Sequence, residues 1–301
     1  MHQYGGELLK GKTATQSTEF PCIPKCGPDK VVDGDKNTCM KTYEIGQAAP
    51  RKTVWSMIDL GETHSIYSIS IDFKNQTGYE LRQRGRFAGF SLYISDTSKR
   101  EDGYLCYKNT LPLPPLNFNT TCIGYGRYVI YYNERLEGVK YPEGYSNGNL
   151  YTELCEVKIQ GCSSSGVYGS NCSIPCPINC QEQRCNIVNG TCLGCVPGYV
   201  GQTCKDECNN GTYGPDCIHN CSGHCLNGTT CNKENGFCEL SCNPGYAGEL
   251  YCPKGSFGQN CEEHCSINCI SGICDHITGT CVEGCLTGFT GMRCFDCKKI
   301  K

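Results

Sequence analysis

No stretch of this 301-residue chain approaches the roughly 18 uninterrupted apolar residues that a membrane-spanning helix needs. No membrane span is therefore expected in it. The opening MHQYGGELLKGKTATQ lacks the basic n-region, apolar h-region and small-residue cleavage site of a secretory leader. Clustered basic charge is also missing. Basic and acidic residues number 19 and 18 before Cys162, and 8 and 12 from there on. Neither half has the basic excess of a nucleic-acid binder, so nucleic acid is not an expected partner. Histidine is sparse and scattered, at His2, His64, His219, His224, His264 and His276, and no G-x-S-x-G, H-E-x-x-H, Walker or dinucleotide fingerprint occurs. A non-enzyme is expected. Tryptophan occurs once, as Trp55 in VWSMIDLG, where it is expected to anchor a core.

Cysteine, by contrast, is abundant. Thirty in 301 residues is the density of a disulfide scaffold, which requires an oxidising compartment. Zinc sites cluster as paired C-x-x-C or Cys/His sets with long gaps between them, whereas the cysteines after Cys162 run on without such gaps. A cysteine nucleophile would need a thiolate beside a basic partner, and disulfides supply none. Glycosylation sequons begin at Asn75, Asn119, Asn171, Asn189, Asn210, Asn220 and Asn227. In Asn171 and Asn220 the middle residue is cysteine. An extracellular chain, secreted or the ectodomain of a membrane receptor, is expected.

The chain divides into two regions of different grammar. Residues 1–161 hold six cysteines and most of the apolar or alternating runs: SIYSISIDF (65–73), FAGFSLYIS (87–95), GRYVIYYN (126–133) and LCEVKIQ (154–160). Their period-2 alternation and β-branched or aromatic content predict strands. Punctuation such as LPLPPLN (111–117) and PEGYSNGN (142–149) separates them, and no helical periodicity is sustained. An all-β sandwich is the simplest fold for a domain of this size. Within it, Arg82, Arg84 and Arg86 alternate, and in an extended segment they would share one face. Three guanidinium groups there could engage sulfate, phosphate or carboxylate.

From Cys162 on, aliphatic runs give way to cysteine, glycine and asparagine, and units this small depend on covalent staples. GVYGSNC (166–172), GTYGPDC (211–217) and GSFGQNC (255–261) recur, each followed by C-x3-C-x3-C. CVPGYVGQTC (195–204), CNPGYAGELYC (242–252) and CLTGFTGMRC (285–294) form a second recurring element. Such periodicity identifies an array. In it, glycine permits the tight turn and the aromatic covers the disulfide. Modules are expected at 162–207, 208–251 and 252–296, with 297–301 opening a further, truncated one. The second module has an irregularity: Cys252 has two claimants, Cys242 and Cys261, and Cys297 is surplus.

These elements resemble the EGF-like modules of the multiple-EGF and class F scavenger-receptor families. The resemblance implies the pairs Cys162–Cys172, Cys176–Cys185, Cys180–Cys192 and Cys195–Cys204 in the first module. It implies Cys208–Cys217, Cys221–Cys231 and Cys225–Cys238 in the second, and Cys265–Cys274, Cys269–Cys281 and Cys285–Cys294 in the third.

The first region has its own landmarks: LLKGKTATQSTEF, then VVDGDKNTC, VWSMIDLG, SIYSISI and finally LCEVKIQGC. In this order they are similar to the F-type lectin (fucolectin) family, which has a discoidin-like jelly-roll β-sandwich. That resemblance implies disulfides Cys39–Cys155 and Cys106–Cys122, and leaves Cys22 and Cys26 for each other. It also implies a structural Ca²⁺ held by Asp33, Asp35, Thr38, the carbonyl of Cys155, and Glu156. Hard oxygen donors of this kind suit the ion. Lys30 stands where the family usually has Asn. The sugar motif departs from the family's pattern: Lys41 occupies the position of a ligand histidine, and KNQTGYELRQRGRF (74–87) lacks the Arg-x-Asp and the paired cysteines. The fucose-reading set is thus not expected. Lys41 and the three arginines remain the candidate ligand contacts.

The expected function is a recognition or adhesion receptor fragment, of scavenger or phagocytic type, that binds cell-surface or microbial glycans or proteins. The alternative is a structural matrix protein that binds protein and no sugar.

Overall fold

The computed structural model describes residues 4–297 apart from 19, 23, 240, 248 and 249; for 250, 251 and 297 only the backbone is described. Contacts divide the chain into two compact units. One holds the residues up to 176 together with 182–193, and the other holds 177–181 and everything from 194 on. The change of grammar at 161/162 is therefore not where compactness divides, because loops of the first module pack with the sandwich. Tyr125 shows how: its hydroxyl donates to the Cys185 carbonyl at 2.8 Å and accepts from the Cys185 N–H at 3.1 Å. Arg184 adds an ion pair to Asp96 at 3.2 Å.

Eight strands build the sandwich: β1 (Gly6–Glu7), β2 (Thr13–Gln16), β3 (Met40–Lys41), β4 (Thr53–Phe73), β5 (Ser91–Ser95), β6 (Tyr104–Lys108), β7 (Asn117–Glu134) and β8 (Glu153–Cys162). They form a continuous antiparallel path β1-β8-β4-β7-β5-β6, with β2 also on β4 and β3 also on β8. Two layers arise because β4 and β7 are long and bent. Register shifts fall between Asp59 and His64 and between Ile66 and Ser68, and bulges of this kind let one strand serve two sheets. The first half of β4 pairs with β2 and the second half with β8.

Between the layers lies the main core, in which Ile58, Leu60, Ile69, Ile71, Leu92, Val129, Leu154 and Ile159 meet the rings of Phe73, Phe87, Phe90 and Phe118, and Ile45, Val54 and Leu150 form a smaller cluster apart from it. Phe73 stacks on Phe87 with centroids 4.6 Å apart, and Phe118 meets Phe90 edge-on at 5.1 Å. Trp55 is not part of it. Residues at 54, 56, 58 and 60 are buried, so strand parity turns half-buried Trp55 to the opposite face.

Glu80–Phe87 is an α-helix, α1, rather than an extended segment. ELRQR is a run of strong helix formers. Gly85 lets the helix lie against the 144–146 loop, since a Cβ there would sit 2.4 Å from the Gly144 carbonyl oxygen. FAGFSLYIS is accordingly a strand only over Ser91–Ser95. Nearby, fully buried Arg135 donates to the carbonyls of Ser146 and Ala88, at 2.7 and 2.9 Å, and so ties the 136–149 loop to the sandwich.

Among the described residues, the ladders of the modules are two residues long, such as Thr212–Tyr213 against His219–Asn220 and Ser256–Phe257 against Glu263–His264, and isolated bridges between cysteines supplement them. Their buried residues are mainly cysteines. The first module holds Cys162–Cys172, Cys176–Cys185 and Cys195–Cys204, and Cys180 and Cys192 are both disulfide-bonded. The second holds Cys208–Cys217, Cys221–Cys231 and Cys225–Cys238; the third holds Cys265–Cys274, Cys269–Cys281 and Cys285–Cys294. Of its two claimants, Cys252 bonds to Cys261. Cys242 is buried and bridges Cys225 through its backbone. Residues 298–301, expected to continue a further module, lie outside the described residues.

Candidate functional site

At the loop end of the sandwich, Lys41 closes β3 and lies opposite Glu153, the first residue of β8. Arg86, near the end of α1, reaches the same carboxylate. Its Nη2 lies 3.2 Å from Glu153 Oε2 and donates to the Tyr151 carbonyl at 2.9 Å, while Lys41 Nζ lies 3.8 Å from Glu153 Oε1. One carboxylate thus holds two cations. Aromatic faces surround them: Lys41 Nζ sits 4.4 Å from the ring centres of both Phe20 and Tyr151, which meet edge-on at 5.5 Å. Tyr43 packs on Phe20, and Arg51 lies 4.8 Å over Tyr43. The Tyr151 hydroxyl donates to Glu44 at 2.8 Å, and that hydrogen bond raises its pKa above the usual phenol value. The cluster comprises three cations and two carboxylates beside three rings.

The structure brings Lys41 and Arg86 together but not the three arginines. Residues two apart on a helix point to opposite sides. Arg82 is exposed. Arg84 is directed at the proline-rich segment, donating to the carbonyls of Leu113 and Pro114 at 2.6 and 2.9 Å. Sequence alone does not single out Phe20, Tyr43, Glu44, Tyr151 and Glu153, which come from separate segments that only folding joins.

The second candidate set lies around the 33–38 loop. Asp33 accepts from the Asp35 N–H at 3.0 Å and from the Thr38 hydroxyl at 2.7 Å, and Asp35 accepts from the Asn37 N–H at 2.9 Å. Lys30 approaches Asp33 at 3.4 Å. Glu156 pairs with Asp72 in the sheet, and Leu154 with Phe73, so Cys155 is the extra residue of a bulge. Cys39–Cys155 fastens the loop to that bulge. Buried Glu156 has one oxygen without a hydrogen-bond partner. Burial, and then the Asp33 charge, raise its pKa above the ordinary carboxylate value. A buried carboxylate oxygen without a hydrogen-bond partner, in the field of a second carboxylate, suits a hard cation. The other disulfides of the sandwich are Cys22–Cys26 and Cys106–Cys122. Asn75, Asn119, Asn171, Asn189, Asn210, Asn220 and Asn227 are all exposed.

Fold and site together define a disulfide-pinned β-sandwich with a cationic, aromatic loop end, followed by disulfide-built modules. No family model matches the chain. It is similar to dendrite extension defective protein 1 of Caenorhabditis elegans, 44% identical over 50 residues, which is 17% of this chain and 4% of the relative. It is also similar to the angiopoietin-1 receptor of Danio rerio, 33% identical over 68 residues, which is 23% of this chain and 6% of that protein. The chain therefore spans only a small part of the length of these curated relatives. Among solved structures, it is similar to a fucolectin from Morone saxatilis (striped bass) serum, with a TM-score of 0.38 and 22% identity, covering 52% of this chain and 48% of that one. A chitosan-binding module of a Paenibacillus chitosanase/glucanase matches with a TM-score of 0.38 and 16% identity, covering 52% of this chain and 99% of the module.

Proposed function

We propose that this chain is an extracellular binding protein, not an enzyme, whose sandwich engages glycans on cell or microbial surfaces while the module array spaces it and offers protein contacts. The observation that carries the reading is the convergence of Lys41 and Arg86 on Glu153 beside the rings of Phe20 and Tyr151. Aromatic faces accept the C–H side of a sugar ring, and adjacent cations and carboxylates exchange hydrogen bonds with its hydroxyls. The surplus cation favours sugars that carry a carboxylate or sulfate. Recognition of the scavenger or phagocytic type is the finer form of this reading. The full chain on a glycan array is expected to bind a subset of glycans, and Lys41→Ala to weaken that binding by roughly tenfold. Silence of the folded chain across the array would sink the glycan reading in favour of a structural, protein-binding role.

We further propose that Asp33, Asp35, Thr38, the Cys155 carbonyl and Glu156 hold a Ca²⁺ ion, which would supply the positive charge that Glu156 lacks and fix the loop to β8. Adding Ca²⁺ to chelator-treated protein should raise its melting temperature by a few degrees. Glu156→Gln should abolish the response, and an unchanged midpoint in the parent chain would refute the site.

A further inference from the structure

Strand β4 buries Val54, Ser56 and Ile58 on its inner face and leaves Trp55 and Met57 on its outer face. Register sets Trp55 opposite Tyr132 and Met57 opposite Ile130. Over this face folds the Ser98–Glu101 segment, which enters the short 3-10 turn Arg100–Asp102. Between sheet and turn lies a pocket of about 380 Å³, lined by Trp55, Met57, Lys99, Arg100, Glu101 and Tyr132 among others. That volume lies within the range of small-molecule sites. The Arg100 guanidinium lies 4.0 Å over the Tyr132 ring, and its Nη2 donates to Glu101 Oε1 at 3.1 Å. The Tyr132 hydroxyl donates to Glu134 at 2.8 Å, which fixes the ring.

We infer that this pocket binds a neutral pyranose sugar, one or two rings long, with a ring face laid on Trp55 and two vicinal hydroxyls on the Arg100–Glu101 pair. Trp55 provides the flat apolar surface on which the C–H face of a pyranose gains dispersion, while the Tyr132 ring holds Arg100 in place. A guanidinium N–H donor beside a carboxylate acceptor, about one hydrogen-bond length apart, matches a vicinal diol, in which one hydroxyl can accept while its neighbour donates. Both charged side chains retain access to solvent, at 31% and 69% exposure. Other ligand classes fit less well. A cation would meet Lys99 and Arg100, an anion would gain those two but meet Glu101, and a purely apolar ligand would strip water from the ion pair without replacing its hydrogen bonds. The pocket shares no residue with the Lys41 and Arg86 cluster, so the inference does not rest on sugar binding there.

Trp55 is the only tryptophan in the chain, so its emission reports on this pocket directly. The full chain is titrated with methyl galactoside, methyl glucoside, N-acetylglucosamine and lactose while tryptophan fluorescence is followed. The expected result is a saturable change with at least one of them, shifted to roughly tenfold higher concentration in Arg100→Ala and in Glu101→Ala and unmoved in Lys41→Ala. No saturable change with any sugar, in protein shown by circular dichroism to be folded, overturns the inference. So does a change that survives both pocket substitutions. A change abolished by Lys41→Ala alone would assign the signal to the loop end, which overturns this pocket and supports the other site.

Discussion

Single residues recur with one geometric task in each module. Tyr168, Tyr213 and Phe257 lie flat against Gly190, Gly236 and Gly279, where an added Cβ would sit 2.4 Å from the ring in every case. These glycines also adopt positive φ, +73°, +79° and +71°, so they are required both by conformation and by space. The two requirements can be separated in the second module, where Gly228 has a φ of +69° but nothing within 4 Å of its Cβ position. Gly228→Ala is expected to cost about 1 kcal/mol and Gly236→Ala about 3 kcal/mol. Hydrogen exchange across residues 208–239 would measure both, and equal protection in the two variants would contradict the ring contact as the cause. The spacing of these motifs made the repeat legible in the sequence. The ring-on-glycine contact was not, because the glycine lies more than twenty positions from its aromatic partner.

At the scale of elements, alternation marked 65–73 and 154–160 correctly because one phase of each strand is mostly apolar and buried, and 126–133 was legible from its aromatic and β-branched content. It could not orient 53–60, where Val54 and Ile58 alternate with Trp55 and Met57 and both phases are apolar. Helix α1 escaped notice for a different reason: its buried residues are Gln83, Gly85 and Phe87, which form no apolar stripe. The bend of β4 depends on a polar feature as well. Arg127 grips Asp59 with two hydrogen bonds, at 2.7 and 2.8 Å, just before the register shift. The hydrogen bond from Arg127 holds the Asp59 pKa below its ordinary value. A carboxylate depressed on folding contributes stability that is present above its unfolded pKa and is lost as pH falls through the folded one. Asp59→Asn should therefore be less stable than the parent by about 1 kcal/mol at neutral pH, and the gap should close as pH falls below about 4. Urea unfolding at several pH values would show it; a gap constant across that range would mean that the ion pair is not its origin.

For the whole molecule, the two halves rely on different sources of stability. The sandwich buries a contiguous aliphatic and aromatic core, whereas the modules bury mainly half-cystines. Each closed loop of about ten residues contributes on the order of 3 kcal/mol on the chain-entropy model, and little else holds such units together. Mild reduction is expected to unfold the modules while the sandwich keeps its strand signal and its Trp55 emission. Circular dichroism and tryptophan fluorescence during a dithiothreitol titration would separate the two, and simultaneous loss of both signals would show the core to be dependent on its disulfides. The cysteine grammar made this division legible. The loop-end cluster was only half legible, since Lys41 and Arg86 could be proposed but Glu153, which joins them, could not.

Strand β8 begins at Glu153, beneath the loop-end cluster, and ends at Cys162, whose disulfide to Cys172 starts the module array. A load applied between the two ends of β8 runs along the length of this strand. Hydrogen bonds to β4, β1 and β3 lie across that direction, so they are loaded in shear and must give way together rather than one by one. At the far end, tension passes into a covalent bond. The strand therefore resists stretching along its own axis better than peeling away from its neighbours.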